Sequence, residues 1–484
     1  MKTLILILSL LISEIIMAQS FQFEEYLYHN YERYKEKSLL HKRFKHSDII
    51  PIFEKLKSNS EFKVERVGKS VEGRSLNLVS VGKGKTKIFL WSQMHGDEPT
   101  ATAALFDIFN FLTDTSNNYF TNKLYKRVSI YFLPMVNPDG AERFKRRNFY
   151  DIDLNRDASR LQCPEAVVLK NIFDELKADF GFNLHDQSHR YSVGNSFKSA
   201  AISFLAPAFD YEKKFDSVRG RAVQVIGGLY QMLSKFIPGH IAKYNDDYEP
   251  RAFGDNFQKW GTSTILIESG GWKDDPEKQF LRKLNFIAIL SAIKSIAEET
   301  YLSISSEIYN SIPFNDNYIF DMILRNVHIE SGKEKIKVDV AINMDEIQTP
   351  DGKNYYYKSQ VADLGDLSVF FGYKDFDFNG YTIHQAATDD NKVYKSENLK
   401  KLDFFDFYSK GITNIIVNKL PDDKFSPLPI NLTLSNKIDT TINIGEPANF
   451  LLKKDGKIEY VIINGFIQKV DKNRKFEGNG IIIR

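Results

Sequence analysis

Three short apolar runs in the first part of the chain each break off at a side chain able to bind a metal or move a proton. Lys87-Ile88-Phe89-Leu90-Trp91-Ser92-Gln93-Met94 runs into His95, Phe182-Asn183-Leu184 into His185, and Thr264-Ile265-Leu266-Ile267 into Glu268. After the first run Pro99 opens residues 101–112, whose apolar positions recur at helical spacing. A buried strand, a loop and a helix start place the corner between them on a rigid frame, where chemistry is commonly carried. His95 and Glu98 occupy that corner. Both are good zinc ligands, and a catalytic zinc takes three protein ligands with one position left open. Taken alone, the pair is equally a strand-end histidine and a helix N-terminal acid favoured by the dipole.

The downstream islands change that balance. They come in fixed order: Asn137-Pro138-Asp139-Gly140, Arg146-Arg147-Asn148, Asp153-Leu154-Asn155-Arg156, then His185 and the strand-borne Glu268. The ordered set resembles the zinc carboxypeptidase family (M14 metallocarboxypeptidases, or funnelins) over roughly residues 40 to 300. The resemblance implies a site residue by residue. His95, Glu98 and His185 match the zinc ligands, one ion per chain. Arg146 matches the arginine that polarises the scissile carbonyl. Asn155 and Arg156 match the pair that grips a terminal carboxylate. Asp153 matches the acid that orients the first zinc histidine, and Glu268 the catalytic base and acid. A family tyrosine some twenty residues before the glutamate has two counterparts here, Tyr244 and Tyr248. The pocket for the terminal side chain falls near Ala252–Asn256, where Asp255 is either a selector of basic side chains or a turn acid.

The chemistry asks for these residue types independently. Amide hydrolysis needs a strong nucleophile near neutrality, and zinc lowers the pKa of bound water to about 7. A carboxylate such as Glu268 can take the proton of that water and pass it to the leaving amine. A fixed guanidinium such as Arg146 stabilises the oxyanion, and the planar fork of Arg156 suits a carboxylate. An acid on a metal-bound histidine fixes its tautomer, the part offered to Asp153. Two rivals exist: His189 for His185, and Arg147 for Arg146. Strand-end position favours His185, and spacing to Asn155-Arg156 favours Arg146. Asn137-Pro138-Asp139-Gly140 reads foremost as a turn, with no chemical role.

The chain has 484 residues, too many for one ordinary core. Its 65 basic and 63 acidic residues leave a net charge of +2 and no nucleic-acid footprint. Lys2 ahead of the apolar run Leu4–Ile12 reads as a secretory signal ending near Ala18, which implies a secreted or periplasmic product. No later segment is apolar and long enough to span a membrane. The single Cys163 forbids an intramolecular disulfide, so packing must supply stability.

Expected helices at 46–58, after Pro164, at about 211–236 and 276–299, with strands at 75–81 and 129–133, imply an α/β catalytic region, a sheet covered by helices on both faces. The family resemblance makes it a mixed-sheet fold. The expected division is 1–18 signal peptide, 19–310 catalytic domain and 311–484 an all-β module, read as a sandwich. Lys454-Asp455-Gly456-Lys457 and Ile463-Asn464-Gly465-Phe466 each predict a hairpin turn. Stretches 320–327, and 445–451 with 461–465, resemble the two ends of an amidohydrolase's small β-domain.

The reading is an exported zinc metallocarboxypeptidase acting on peptides with a free C-terminal carboxylate through a zinc-activated water. The alternatives are a metallo-amidase of the same fold, acting on cell-wall peptides or acylated amino acids, and an inactive peptide- or surface-binding protein. Oligomeric state is not legible.

Overall fold

The computed structural model describes residues 22–349, 352, 354–422, 424–435 and 442–483. The expected signal peptide therefore lies outside the described residues. The chain forms two compact units, one reaching to Asn317 except for Asn195–Phe197, the other comprising those three residues and Tyr318–Arg484.

The first unit begins with a helix the apolar pattern did not announce, α1 (22–34). Its Leu27, Tyr31 and Tyr34 are buried in the main core. The segment is fastened by Asp107, which is fully buried, accepts from the Tyr31 hydroxyl at 2.9 Å and from Glu36 N at 2.7 Å, and pairs with buried Arg282. Then follow α2 (His46–Lys57), β1 (Phe62–Lys69), β2 (Ser75–Val81), β3 (Thr86–Ser92), α3 (Thr100–Thr113), α4 (Asn118–Arg127), β4 (Val128–Leu133) and α5 (Pro138–Glu142). Next come α6 (Pro164–Leu176), β5 (Phe180–Asp186), β6 (Ser192–Val193), β7 (Ile202–Leu205), α7 (Ser217–Leu233) and β8 (Ile241–Lys243). The unit closes with α8 (Phe253–Lys259), β9 (Ser263–Ser269), α9 (Gln279–Ala297), α10 (Ser306–Asn310) and β10 (Asn315–Asp316), the last paired with β6. The helices expected at 211–236 and 276–299 are thus shorter at both ends. Cys163 is buried just before α6, as a small apolar group.

Eight strands form one mixed sheet in the order β1-β2-β4-β3-β5-β9-β7-β8. The neighbours β4, β3, β5 and β9 run parallel, and antiparallel pairings bring in β2 and β7. Helices cover both faces, and strand alternation divides the side chains between them. Ile88 and Leu90 of β3 enter one core with Phe182 and Leu184 of β5 and Ile265 and Ile267 of β9. Phe89 and Trp91 enter the other, against Phe253 and Phe257. The same alternation turns Asn183, His185, Leu266 and Glu268 toward the second face, where register sets Asn183 beside Leu266 and His185 beside Glu268.

The second unit is β-rich. Its larger sheet is built from β11 (Ile319–Ser331), β12 (Glu334–Gln348), β13 (Tyr355–Gly365), β14 (Phe371–Asp377) and β15 (Thr382–His384), with three strands from the end of the chain. The smaller takes β16 (Ala387–Tyr394), β17 (Ile412–Val417), β18 (Phe425–Ser426) and β19 (Asn431–Thr433), with a short helix α11 (Phe404–Ser409) between β16 and β17. The chain then supplies β20 (Phe450–Lys454), β21 (Lys457–Ile463) and β22 (Phe466–Lys469) to the larger sheet and β23 (Gly480–Ile483) to the smaller. An apolar cluster holding Ile415, Val417 and Leu432 of the smaller sheet with Val461 and Ile463 of the larger packs the two as a sandwich. Both expected hairpins form. Asp455 and Gly456 have φ of 49° and 76°, Asn464 and Gly465 47° and 77°, so each turn carries two left-handed residues, as a tight two-residue hairpin requires.

Candidate active site

A cleft of about 180 Å³, open to solvent, lies at the carboxyl ends of β5 and β9. His95, Glu98, Arg146, Asn155, Arg156, His185, Tyr244 and Glu268 all line it.

His95 and Glu98 leave the end of β3 on the turn that enters α3, and His185 is the penultimate residue of β5. His95 Nδ1 lies 2.8 Å from Glu98 Oε1 and 3.1 Å from His185 Nδ1, while His185 Nδ1 lies 2.7 Å from Glu98 Oε2. Among the described residues these three form a group whose ligand atoms all fall within 4.8 Å of one another. On its far side, His95 Nε2 is 3.0 Å from Asp153 Oδ1. A carboxylate there orients the ring and, once a cation replaces the proton on Nδ1, keeps the remaining proton on Nε2. Two buried ring nitrogens converging on one carboxylate make a donor set suited to a divalent cation such as zinc.

The electrostatics follow from burial and mutual charge. Burial lowers the pKa of His95, yet Glu98 and Asp153 outweigh it and lift the ring to about 9. Burial keeps His185 below its usual value, in the neutral form that ligates metals. The two imidazoles overcome burial at Glu98 and hold its carboxyl well below the ordinary range. Glu268 goes the other way: burial first, then the charge of Glu98, raise it well above a normal carboxyl.

Arg146 arches over this cluster. Its Nε and Nη2 donate to Asp153 Oδ2 at 3.1 and 3.0 Å, and Nη1 donates to Glu98 Oε1 at 3.2 Å. Arg147 points elsewhere, donating to the Asp151 carbonyl at 2.9 Å. His189 likewise stays outside the ligand group. Asn155 and Arg156 sit on the short turn capped by Asp153, whose Oδ1 accepts from Asn155 N at 2.9 Å. Asn155 Oδ1 accepts from Phe253 N at 2.9 Å, tying that turn to α8. The two tyrosines part company. Tyr244 lines the cleft, with burial raising its hydroxyl above the usual range. Tyr248 is not among the lining residues and packs edge-on against Tyr211, ring centres 5.1 Å apart. Asp255 lines the cleft and is pushed by burial up to about 7.

Several contributors lack a sequence signal of their own. In Asn137-Pro138-Asp139-Gly140, the Asn137 amide donates to the Arg146 carbonyl at 3.2 Å while its oxygen accepts from Gly140 N at 2.9 Å. A Cβ on Gly96 would come within 2.0 Å of the Gly140 backbone, so this turn and the His95 loop need glycine where they touch. Asp139 is buried and accepts from Ser70 Oγ at 2.7 Å, Glu72 N at 2.9 Å and Arg74 at 2.7 Å. The motif is a scaffold, as its composition suggested. Behind His185, Asp186 accepts from Thr100 Oγ1 at 2.6 Å and from Lys278 Nζ at 3.1 Å. A partner 92 positions away cannot be read from local pattern.

Residues 52–206 match the model of the zinc carboxypeptidase family. Over that segment, about a third of its length, the chain is similar to that family. An uncharacterised protein of Zymomonas mobilis is 28% identical over 145 residues, covering 29% of this chain and 37% of the relative. Carboxypeptidase 2 of Trichophyton rubrum is 27% identical over 152 residues, 29% of this chain and 27% of the relative. The chain thus spans well under half the length of the curated relatives it matches. A metallo-carboxypeptidase structure from Burkholderia cenocepacia aligns over 53% of this chain and 70% of its own, at 16% identity and a TM-score of 0.44. Among the described residues no helix is long and apolar enough to cross a membrane.

Proposed function

We propose that this protein is an exported zinc metallocarboxypeptidase that hydrolyses the last peptide bond of a chain ending in a free carboxylate. The observation that carries the reading is the convergence of His95, Glu98 and His185 in one cleft with a buried carboxylate, Glu268, and two arginines. His95, Glu98 and His185 would hold one zinc per chain. When bound, zinc acidifies water and polarises a carbonyl oxygen.

The remaining roles belong to side chains. Glu268, kept basic enough by burial, takes the proton of the attacking water and delivers it to the nitrogen of the leaving amine. Arg146 donates to the oxygen on which negative charge develops. Asp153 keeps His95 in one tautomer and aims Arg146 through two of its nitrogens. Asn155 and Arg156 receive the terminal carboxylate, and Tyr244 rather than Tyr248 is the tyrosine offered to substrate. Asp255, beside them, favours a released residue with a basic side chain.

The proposed organisation is a signal peptide over 1–18, a catalytic domain over 19–310 and a β-rich domain over 311–484. Mass spectrometry of protein from the native host should find a mature N-terminus near Gln19; an intact Met1 rejects export by this route.

The test of the activity compares a peptide with its C-terminal amide. Amidation removes the charge that Arg156 would pair with. A charge-assisted hydrogen bond contributes about 1.5–3 kcal/mol, so kcat/KM should fall by roughly one to two orders of magnitude. Arg156→Ala should cost the free acid a similar factor and leave the amide nearly unchanged. Equal rates on acid and amide in the unaltered enzyme would sink the carboxypeptidase reading in favour of a metallo-amidase.

A further inference from the structure

Arg156 does not wait alone in the cleft. Its Nε lies 3.3 Å from Glu249 Oε2, and its Nη1 donates to the Asn155 carbonyl at 2.8 Å. A carboxylate bound side-on to a guanidinium uses Nε and the neighbouring Nη. Glu249 therefore sits beside the Nε edge that an incoming carboxylate would use, within ion-pair distance but out of line for a hydrogen bond. It also has a second partner: Arg251 Nε donates to Oε1 and Nη2 to Oε2, both at 2.9 Å. The backbone of Glu249 is held independently, its N–H donating to Asp255 Oδ1 at 2.9 Å and its carbonyl accepting from Ala252 N at 2.9 Å. The side chain can thus leave Arg156 without unravelling the loop and without losing its charge partner.

We infer that Glu249 is a resident carboxylate on Arg156, a built-in competitor that the substrate's terminal carboxylate must displace, leaving Glu249 on Arg251 alone. The inference rests on the carboxypeptidase reading and adds a specificity device to it. A neutral chain end cannot take over the charge pairing of Glu249, so it gains nothing by displacing it. A terminal carboxylate replaces one ion pair with another. The contact with Arg156 is single, long and partly solvated, and such pairs hold weakly. Displacement is correspondingly easy for the right group.

The test uses the full-length, zinc-loaded enzyme and one peptide in acid and amide forms. Glu249→Gln and Glu249→Asp should each lower KM for the free acid, by roughly two- to five-fold given the modest strength of exposed ion pairs. The effect should appear in KM rather than kcat, and the amide should show none of it. The aspartate variant keeps the charge but shortens the reach, so it separates contact from the general field of the cleft. Arg251→Ala removes the alternative partner and should raise KM for the acid, an effect that vanishes in the Glu249→Gln background. The inhibition constant of a free product amino acid should follow the same order, without dependence on turnover. A rise in KM with Glu249→Gln would mean that Glu249 positions Arg156, and would overturn competition. An improvement with glutamine but none with aspartate would overturn it too, leaving only a field effect. If the unaltered enzyme fails to distinguish acid from amide, the carboxypeptidase reading itself falls; if it distinguishes them and these variants do nothing, only the role of Glu249 falls.

Discussion

Both units bury polar side chains, but to different ends. In the β-rich unit Asn414, Asn431 and Asn464 are fully buried and neutral. Asn431 donates to Asn414 Oδ1 at 2.9 Å and to Asn449 Oδ1 at 3.1 Å while accepting from Ile481 N at 2.9 Å. Asn464 accepts from Ser359 N at 2.8 Å and donates to the Tyr357 and Asn479 carbonyls at 2.7 and 3.1 Å. In the first unit, buried His95, Glu98, His185 and Glu268 converge with charges that push one another's pKa values apart. A satisfied neutral network fixes which strands meet and asks for nothing further. A cluster of converging ligand atoms and displaced protons is organised for an ion and a reaction. Burial of polar groups alone does not separate scaffold from site; the convergence of titratable groups with displaced pKa values on one cleft does.

The sharpest way to break this comparison is to alter one atom of the charged cluster and one of the neutral network. Glu268→Gln should retain zinc, because the three ligand side chains are untouched, yet lose roughly 10²–10⁴ in kcat, the usual scale for general acid–base groups. Substituting His95, Glu98 or His185 should instead empty the site. Metal content of the purified variants and steady-state rates decide between these outcomes. If Glu268→Gln also sheds zinc, the division between ligands and proton carrier is wrong. Relative to enzyme at zinc a thousand-fold above its dissociation constant, chelation should likewise cost the first unit about 4 kcal/mol of unfolding free energy, read as a lower melting temperature of that unit alone.

Asn431→Ala is the counterpart. It deletes three hydrogen bonds and strands the part-buried Ile481 N–H, at a cost of about 2 kcal/mol. Calorimetry should find that cost in the transition of the β-rich unit, with kcat/KM unchanged. A fall in activity at constant metal content would mean that the asparagine network does more than support strands.

The sequence exposed the parts that local pattern controls. Strand-to-loop corners located His95, His185 and Glu268, since a side chain at a strand end is marked by the apolar run before it. The hairpins at Asp455-Gly456 and Asn464-Gly465 were legible because only a few residues tolerate two consecutive left-handed positions. What escaped depends on partners far along the chain. Helix α1 is held through Tyr31 by an aspartate 76 positions later. Tyr244 and Tyr248 are equivalent in spacing, and only the packing of the loop sends one into the cleft and the other onto Tyr211. Asn414 and Asn431 carry no local mark in the sequence, because the hydrogen bonds that fix them reach other strands.

The smallest expected effect tests whether charge distinguishes the two kinds of network outside the cleft as well. Glu72 anchors the loop after β1 through Arg143, at 2.6 and 2.7 Å, and Arg74, at 2.5 Å. These partners, Arg143 first, lower its carboxyl from 4.5 to about 2. A folded-state pKa below the unfolded one stabilises the fold above about pH 4.5, and that contribution is lost as pH falls toward 2. The group is largely solvated, so the contribution should be about 1 kcal/mol or less. Glu72→Gln should therefore lower the melting temperature of the first unit slightly at pH 7, and less at pH 3. The cost of Asn431→Ala should be the same at both values, because no proton binds or leaves that network. Melting curves of the two variants at both pH values provide the check. A penalty for Asn431→Ala that shrinks with acid would show that an ionised group supports the asparagines, and the contrast between charged and neutral anchoring would fail.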